Sequence, residues 1–308
     1  MSWIRSLAAG LFLFGLVGCA SRAPVAPVAE TAAPATATPL AWSALSAMPQ
    51  PPPGQRLAYG PAPQQFGELR LPAGAGPHPV VVLIHGGCWL SQFSLEYFSH
   101  LAAGLTDAGY ATWSIEYRRI GDPDGGWPGT FLDAGAAIDH LQALGDSQPL
   151  DLSRVAVLGH SAGGQMALWA ATRDDPHGPL PADAPLPVRA VVGIAPITDL
   201  AAYRVGPERS CHAAVDRVMG GTPATDGDRY AAVSPMDRLP LRVPVLLISG
   251  GQDEIVAPES VEAFAHAAML ENDPVQLRVV AGEGHFDAVL PGGRSWDMLL
   301  DFLGASLR

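Results

Sequence analysis

The sequence predicts an α/β domain, a mostly parallel, doubly wound sheet of eight strands with helices on both faces and a small inserted cap. Apolar runs of strand length recur along the chain and alternate with helix-forming segments, the order that builds parallel sheets. Two of these runs stop at glycine pairs, Gly86-Gly87 and Gly250-Gly251, where a chain leaving a sheet edge turns tightly. Hydrophobic residues make up 48% of the 308-residue chain, enough for one large core.

In chain order, strands are expected near 55–60 and 66–71 as an antiparallel leading hairpin. Strands near 79–85 and 110–117 follow, with a helix at 95–108 between them. A helix near 130–144 leads to a strand at 153–159 and a helix at 162–173. Beyond these come strands near 188–195, 244–250 and 275–281 and helices near 258–270 and 294–304. Residues 196–240 separate two strands by more than a simple crossover needs. They are expected to form a cap that shapes the acyl or leaving-group pocket.

The amino-terminal residues read differently. Arg5 precedes an apolar run from Leu7 to Gly18, whose 12 residues are too few to span a bilayer and suit the core of a signal peptide. Its end, Leu16-Val17-Gly18-Cys19, resembles the bacterial lipobox, in which the cysteine is lipidated and becomes the mature amino terminus. Residues 1–18 are therefore expected to be a lipoprotein signal peptide and Cys19 the lipidated residue. Residues 20–54 hold eleven alanines and eight prolines but only two charges, Arg22 and Glu30. That composition makes 19–54 a semi-rigid tether, extending about 3.1 Å per residue where it is polyproline-like, with the domain starting at residue 55. Ala20 and Ser21 lack the aspartate that retains enterobacterial lipoproteins at the inner membrane, so the expected place is the cell envelope, at the outer membrane.

Within the domain, Val155-Ala156-Val157-Leu158 runs into Gly159-His160-Ser161-Ala162-Gly163-Gly164, and a helix-forming stretch from Gln165 to Ala171 follows. A G-x-S-x-G between strand and helix is a nucleophile elbow: the turn is too tight for bulky residues, and it lifts the serine hydroxyl above the sheet edge. The motif recurs by chance in glycine-rich chains, so its weight depends on partners. Upstream, Pro79 to Ile84 reads as a buried strand running into His85-Gly86-Gly87-Cys88-Trp89. The amides of Gly86 and Gly87, with that of Ala162, are candidate donors for an oxyanion hole, while the His85 side chain reads as a loop brace.

Downstream, the strand Val245 to Gly250 is followed by Asp253, and Gln276 to Val280 leads to Gly282-Glu283-Gly284-His285-Phe286. Serine, acid and histidine thus come in the order Ser161, Asp253, His285, each just past a strand and so at one sheet edge. Glu254 is the main rival for the acid and Asp199 a weaker one. Of the nine histidines, His160 belongs to the elbow and points away from substrate. His78, His100, His140, His177, His212 and His266 read as solvated groups in loops or on helices.

At these residues the chain resembles the α/β-hydrolase superfamily. His85-Gly86-Gly87-Cys88-Trp89 together with Gly159-His160-Ser161-Ala162-Gly163-Gly164 looks like the branch of hormone-sensitive-lipase-like esterases, bacterial feruloyl and acetyl esterases, and kynurenine formamidases. The likeness runs from Gln55 to Arg308. It implies hydrolysis of esters or amides without a cofactor, with Ser161, Asp253 and His285 as a triad. Cys88 stands where the lipase-like group usually has a third glycine, which brings the chain closer to the formamidase and feruloyl-esterase groups.

Trp89, Tyr117 and Trp127 are candidate pocket residues that would suit an aryl substrate, although each also reads as loop packing. Cys88 and Cys211 form an even pair in an exported chain. They read either as a disulfide pinning the cap over the oxyanion loop or as two buried thiols. A net charge of −12 without any Lys/Arg cluster argues against nucleic acid and anionic membrane surfaces as electrostatic partners. No His/Asp/Glu/Cys grouping has metal-ligand spacing. The expected activity is hydrolysis of short-chain or aryl carboxylic esters through an acyl-enzyme. The alternatives are an amide hydrolase of arylformamidase or small acylaminoacyl/prolyl-oligopeptidase type, and a non-catalytic binding protein on the same scaffold. The expected partners are thus a small ester or amide and, through Cys19, a membrane; the oligomeric state is not legible.

Overall fold

A computed structural model describes residues 38–173, 180, 182, 184–206 and 211–308. The signal-peptide segment, Cys19, the first part of the expected tether and His177 lie outside the described residues. Eight strands form one sheet among them: β1 (Gln55–Ala58), β2 (Phe66–Arg70), β3 (His78–Ile84), β4 (Ala111–Ile115), β5 (Leu150–His160), β6 (Ala190–Ile194), β7 (Val245–Gly250) and β8 (Val275–Val280). Their order is β1-β2-β4-β3-β5-β6-β7-β8. β2 pairs antiparallel with both β1 and β4, and the other neighbours are parallel.

Successive side chains of a strand point to opposite faces, and a sheet covered on both faces therefore needs unbroken apolar strands. β3 shows the consequence: Val80, Val82 and Ile84 enter one core, Val81 and Leu83 the other. The first core is closed by α3 (Gly129–Asp139), α4 (Leu141–Gly145), α5 (Ala162–Ala170) and α9 (Pro258–Leu270), the second by α2 (Ser99–Asp107) and α10 (Gly293–Ser306). The expected helix at 130–144 is divided at His140 into α3 and α4. The interval 196–240 carries α6 (Leu200–Tyr203), α7 (His212–Met219) and α8 (Pro223–Val233).

Two expectations need correction. Residues 39–54 are not a free tether, because α1 (Trp42–Ser46) packs on the domain and Leu45 is completely buried in the second core. Trp42 and Leu45, three residues apart, share one face of a helical turn, and the proline and alanine around them mask that short pattern. The domain therefore begins before residue 55. His78, at the start of β3, is buried rather than solvated.

Candidate active site

β5 ends at His160 and α5 begins at Ala162, so Ser161 alone makes the turn, at φ 56° and ψ −119°. A non-glycine residue pays for such a backbone in strain, and this one is held by close packing. A Cβ on Gly159 would lie 2.0 Å from the Gly163 carbonyl oxygen, and one on Gly163 would lie 2.1 Å from that of Ile84. Strand, turn and helix can meet only without side chains at these two positions. The Ser161 amide donates to the Ile194 carbonyl at 2.9 Å, which ties the elbow to β6.

Past β7 and β8, His285 Nδ1 donates to Asp253 Oδ2 at 2.7 Å. The other carboxylate oxygen, Oδ1, accepts from the amides of Ile255 and Val256 at 2.8 and 2.9 Å. Both side chains are buried. Asp253 is thus fixed by its own loop, and its hydrogen bond places the His285 proton on Nδ1, leaving Nε2 as the basic nitrogen. The rivals are elsewhere. Glu254 is exposed, and Asp199 caps α6 by accepting from the Ala202 amide at 2.9 Å.

His285 is brought to the elbow through a residue that motif reading passed over. The ring centroids of His160 and His285 are 4.6 Å apart, and His160 Nε2 donates to the His285 carbonyl at 2.9 Å. His160 Nδ1 then accepts from the Tyr97 hydroxyl at 2.9 Å, and that hydroxyl accepts from the Gly86 amide at 2.5 Å. Burial, with a smaller contribution from the neighbouring His285, holds the His160 imidazole well below its usual pKa, so it is neutral and bonds as one donor and one acceptor. Burial also raises the Tyr97 phenol, against the pull of the Gly86 amide, and keeps it protonated. The buried His160 side chain thus joins the Gly86-Gly87 loop to the histidine loop.

This network corrects one candidate oxyanion donor. The Gly86 amide is taken by Tyr97, which leaves Gly87 and Ala162 as the candidates from the original three. Ala162 opens α5, where backbone N–H groups have no intrahelical acceptor. His85 acts as the brace that was expected. Its ring stacks on Tyr117 with centroids 4.5 Å apart, and its nitrogens meet the Gly86 carbonyl at 2.7 Å and Glu116 Oε1 at 2.9 Å. Burial alone would raise the Glu116 carboxyl, but His85 and Arg119 hold it below its usual range.

Two of the three candidate pocket aromatics do not form a pocket wall. Trp89 and Tyr117 are 0% exposed, and Tyr117 donates its hydroxyl to the His85 carbonyl at 2.8 Å. Trp127 packs on Phe131 at 5.8 Å, and its amide donates to Val218 of α7 at 2.7 Å. Large aromatic faces at a strand end gain more from joining the core than from lining a wet cleft. The cleft beside His285, about 380 Å³, is lined instead by Pro39, Leu40, Ala41, Gln252, Glu254, Ile255, Gly284 and Phe286. A larger cleft of about 510 Å³ lies at the opposite, amino-terminal edge of the sheet, between the end of α5 and the segments leading into β6 and β7.

Cys88 and Cys211 are bonded, with Cα atoms 5.1 Å apart, which joins the loop after β3 to the residue before α7. Of the two readings open from sequence, the disulfide is the one found. Among the described residues no group of three or more His, Cys, Asp or Glu side chains is placed to hold a metal ion. Nor is any described helix long and apolar enough to cross a membrane.

Residues 68–268 match the BD-FAE family. The chain belongs to the BD-FAE family. The matched span holds Gly86, Gly87, Ser161 and Asp253 and ends before His285. This BD-FAE member is 30% identical over 252 residues to Esterase LipC of Mycobacterium tuberculosis, covering 78% of this chain and 61% of that protein. It is 25% identical over 186 residues to the probable carboxylic ester hydrolase LipM of the same organism, covering 59% of this chain and 43% of that protein. The chain thus spans less than two thirds of the length of these relatives. Among solved structures it is similar to a truncated carbohydrate esterase from gut microbiota, with a TM-score of 0.72, 19% identity and coverage of 83% of this chain and 96% of that one. It is similar also to the propionate-bound Est2 esterase of Thermogutta terrifontis, at a TM-score of 0.66, 20% identity and coverage of 82% and 93%. The BD-FAE chain has the α/β-hydrolase fold its motifs resemble.

Proposed function

We propose that this protein is a serine hydrolase that cleaves short-chain or aryl carboxylic esters through an acyl-enzyme. The observation that carries the reading is His285, held by Asp253 at 2.7 Å and set against His160, the residue before the strained Ser161. The Ser161 hydroxyl attacks the acyl carbon and passes its proton to His285 Nε2, while Asp253 stabilises the imidazolium that forms. The oxyanion is met by the amides of Gly87 and Ala162. Collapse breaks the ester C–O bond, and His285 returns the proton to the departing alcohol. Water, deprotonated in turn by His285, then releases the acid and restores the serine. Relatives named as esterase and carboxylic ester hydrolase support ester over amide chemistry.

The test is covalent labelling with a fluorophosphonate, beside turnover of a panel of esters, N-formyl arylamines and aminoacyl anilides. Wild-type protein is expected to be labelled and to turn over esters, and Ser161→Ala to lose both while keeping its fold. Labelling of Ser161→Ala at the wild-type level would sink the assignment. We also propose that Cys19 carries a lipid anchor that holds the enzyme in the cell envelope, at the outer membrane; the lipobox-like Leu16-Val17-Gly18-Cys19 supports this.

A further inference from the structure

The chain reaches the active-site edge twice, once through the hydrolase loops and once through the segment that precedes the sheet. Pro39, Leu40 and Ala41 line the same cleft as His285 and Phe286. This segment is seated along its length. The Leu40 amide donates to Asp287 Oδ2 at 3.0 Å, and the same oxygen accepts from the Gly284 amide at 2.7 Å, so one carboxylate ties the segment to the histidine loop. A Cβ on Gly284 would come within 2.7 Å of the Pro39 ring, so a glycine there lets the two pass. Trp42 then packs against Phe93, Tyr97 and Phe286, with ring centroids 5.2, 5.5 and 5.6 Å away. Leu45 is fully buried beyond it. Of the three rings under Trp42, Tyr97 bonds to the Gly86 amide and Phe286 follows His285.

Chemistry decides which part of a substrate meets this wall. The histidine that removes the serine proton must give a proton to the departing oxygen, and so stands within hydrogen-bond reach of it. On the proposed mechanism, a cleft with His285 in its wall fits the alcohol side of the ester rather than the acyl side. Its lining combines the apolar Pro39, Leu40, Ile255 and Phe286 with the exposed polar Gln252 and Glu254. On the serine-hydrolase reading above, we infer that residues 39–46 are part of the active site: Pro39, Leu40 and Ala41 form a wall of the leaving-alcohol subsite, and Trp42 and Leu45 seat that wall. They are specificity-determining residues, selecting esters by the size of the alcohol.

The experiment uses full-length protein and four esters that separate the two sides: methyl acetate, 2-naphthyl acetate, methyl butyrate and 2-naphthyl butyrate. Ala41→Trp fills the cleft from an exposed position, and Leu40→Ala widens it. The kcat/KM ratio of naphthyl to methyl esters is expected to fall on the order of tenfold in Ala41→Trp and to shift the opposite way in Leu40→Ala, as a hydrophobic pocket discriminates by size. The butyrate to acetate ratio is expected to stay at its wild-type value in both. An unchanged alcohol ratio in Ala41→Trp, or a change confined to the acyl ratio, overturns the inference. If Leu40→Ala does not fold, Ala41→Trp decides alone. Wild-type protein inactive on all four esters and unlabelled by fluorophosphonate would instead defeat the serine-hydrolase reading beneath it.

Discussion

Asp253 satisfies three hydrogen bonds with two oxygens, and this is why it, rather than its neighbour Glu254, is suited to orient the base. Its Oδ1 is anchored by the amides of Ile255 and Val256, so Oδ2 has a fixed direction toward His285 Nδ1. A carboxylate accepts at both atoms, whereas a carboxamide offers one acceptor and one donor. Asp253→Asn would give its oxygen to the two loop amides and turn an N–H toward His285, favouring the wrong tautomer. We expect kcat to fall about 10⁴-fold, as in the analogous change in a serine protease triad, with little change in unfolding temperature. Glu254→Gln is expected to lose no more than about tenfold. Steady-state kinetics of the two variants on one ester checks this, and a reversed order would make Glu254 the acid.

The loop after β3 and the helices between β6 and β7 are joined as elements rather than merely adjacent. Gly87, Cys88 and Trp89 run consecutively at positive φ, 100°, 56° and 55°. The last two are conformations that residues with a Cβ adopt at a cost. Burial of the whole Trp89 ring offsets part of it, and the bond from Cys88 to Cys211 ties the loop to α7. Trp127 reinforces the same contact through the hydrogen bond its backbone N–H donates to the Val218 carbonyl. Reducing a bond that spans 123 residues of sequence is expected to lower stability by about 2–4 kcal/mol and, by loosening the loop that carries the Gly87 amide, to slow fluorophosphonate labelling. Intact mass after alkylation in denaturant is the measurement: no alkyl group before reduction and two afterward are expected for Cys88 and Cys211. Two alkylated thiols in freshly exported protein would refute the bond.

At the scale of the molecule, the segment that precedes the sheet reaches the cleft beside His285, with Pro39 in the cleft wall. A lipid anchor at Cys19 would then lie twenty residues from that wall. Cys19→Ala is expected to move the protein from the membrane fraction to the soluble fraction with esterase activity intact, because stable membrane attachment of this kind depends on acyl chains. Retention of the folded variant in the membrane fraction would exclude lipidation as the sole anchor.

Much of this was legible because it is local in the chain. The elbow is five consecutive residues whose chemistry admits no bulk at Gly159 or Gly163, and the central strands β3, β6 and β7 of the doubly covered sheet announce themselves as apolar runs. Chain order then carried Ser161, Asp253 and His285 to one sheet edge, since parallel strands deliver their carboxyl ends to the same side. What was not legible depends on groups far apart in sequence. Tyr97 and His160 are separated by 63 positions and His160 and His285 by 125, and no local pattern marks them as partners. Proline and alanine around Trp42 and Leu45 suggested a tether, and the aromatic shelf of Phe93, Tyr97 and Phe286 turned that segment into a wall. The same packing withdrew Trp89 and Tyr117 from any pocket and gave the Gly86 amide to a phenol. Backbone conformation follows from neighbours along the chain, but burial and hydrogen-bond partners follow from which surfaces the folded sheet brings together.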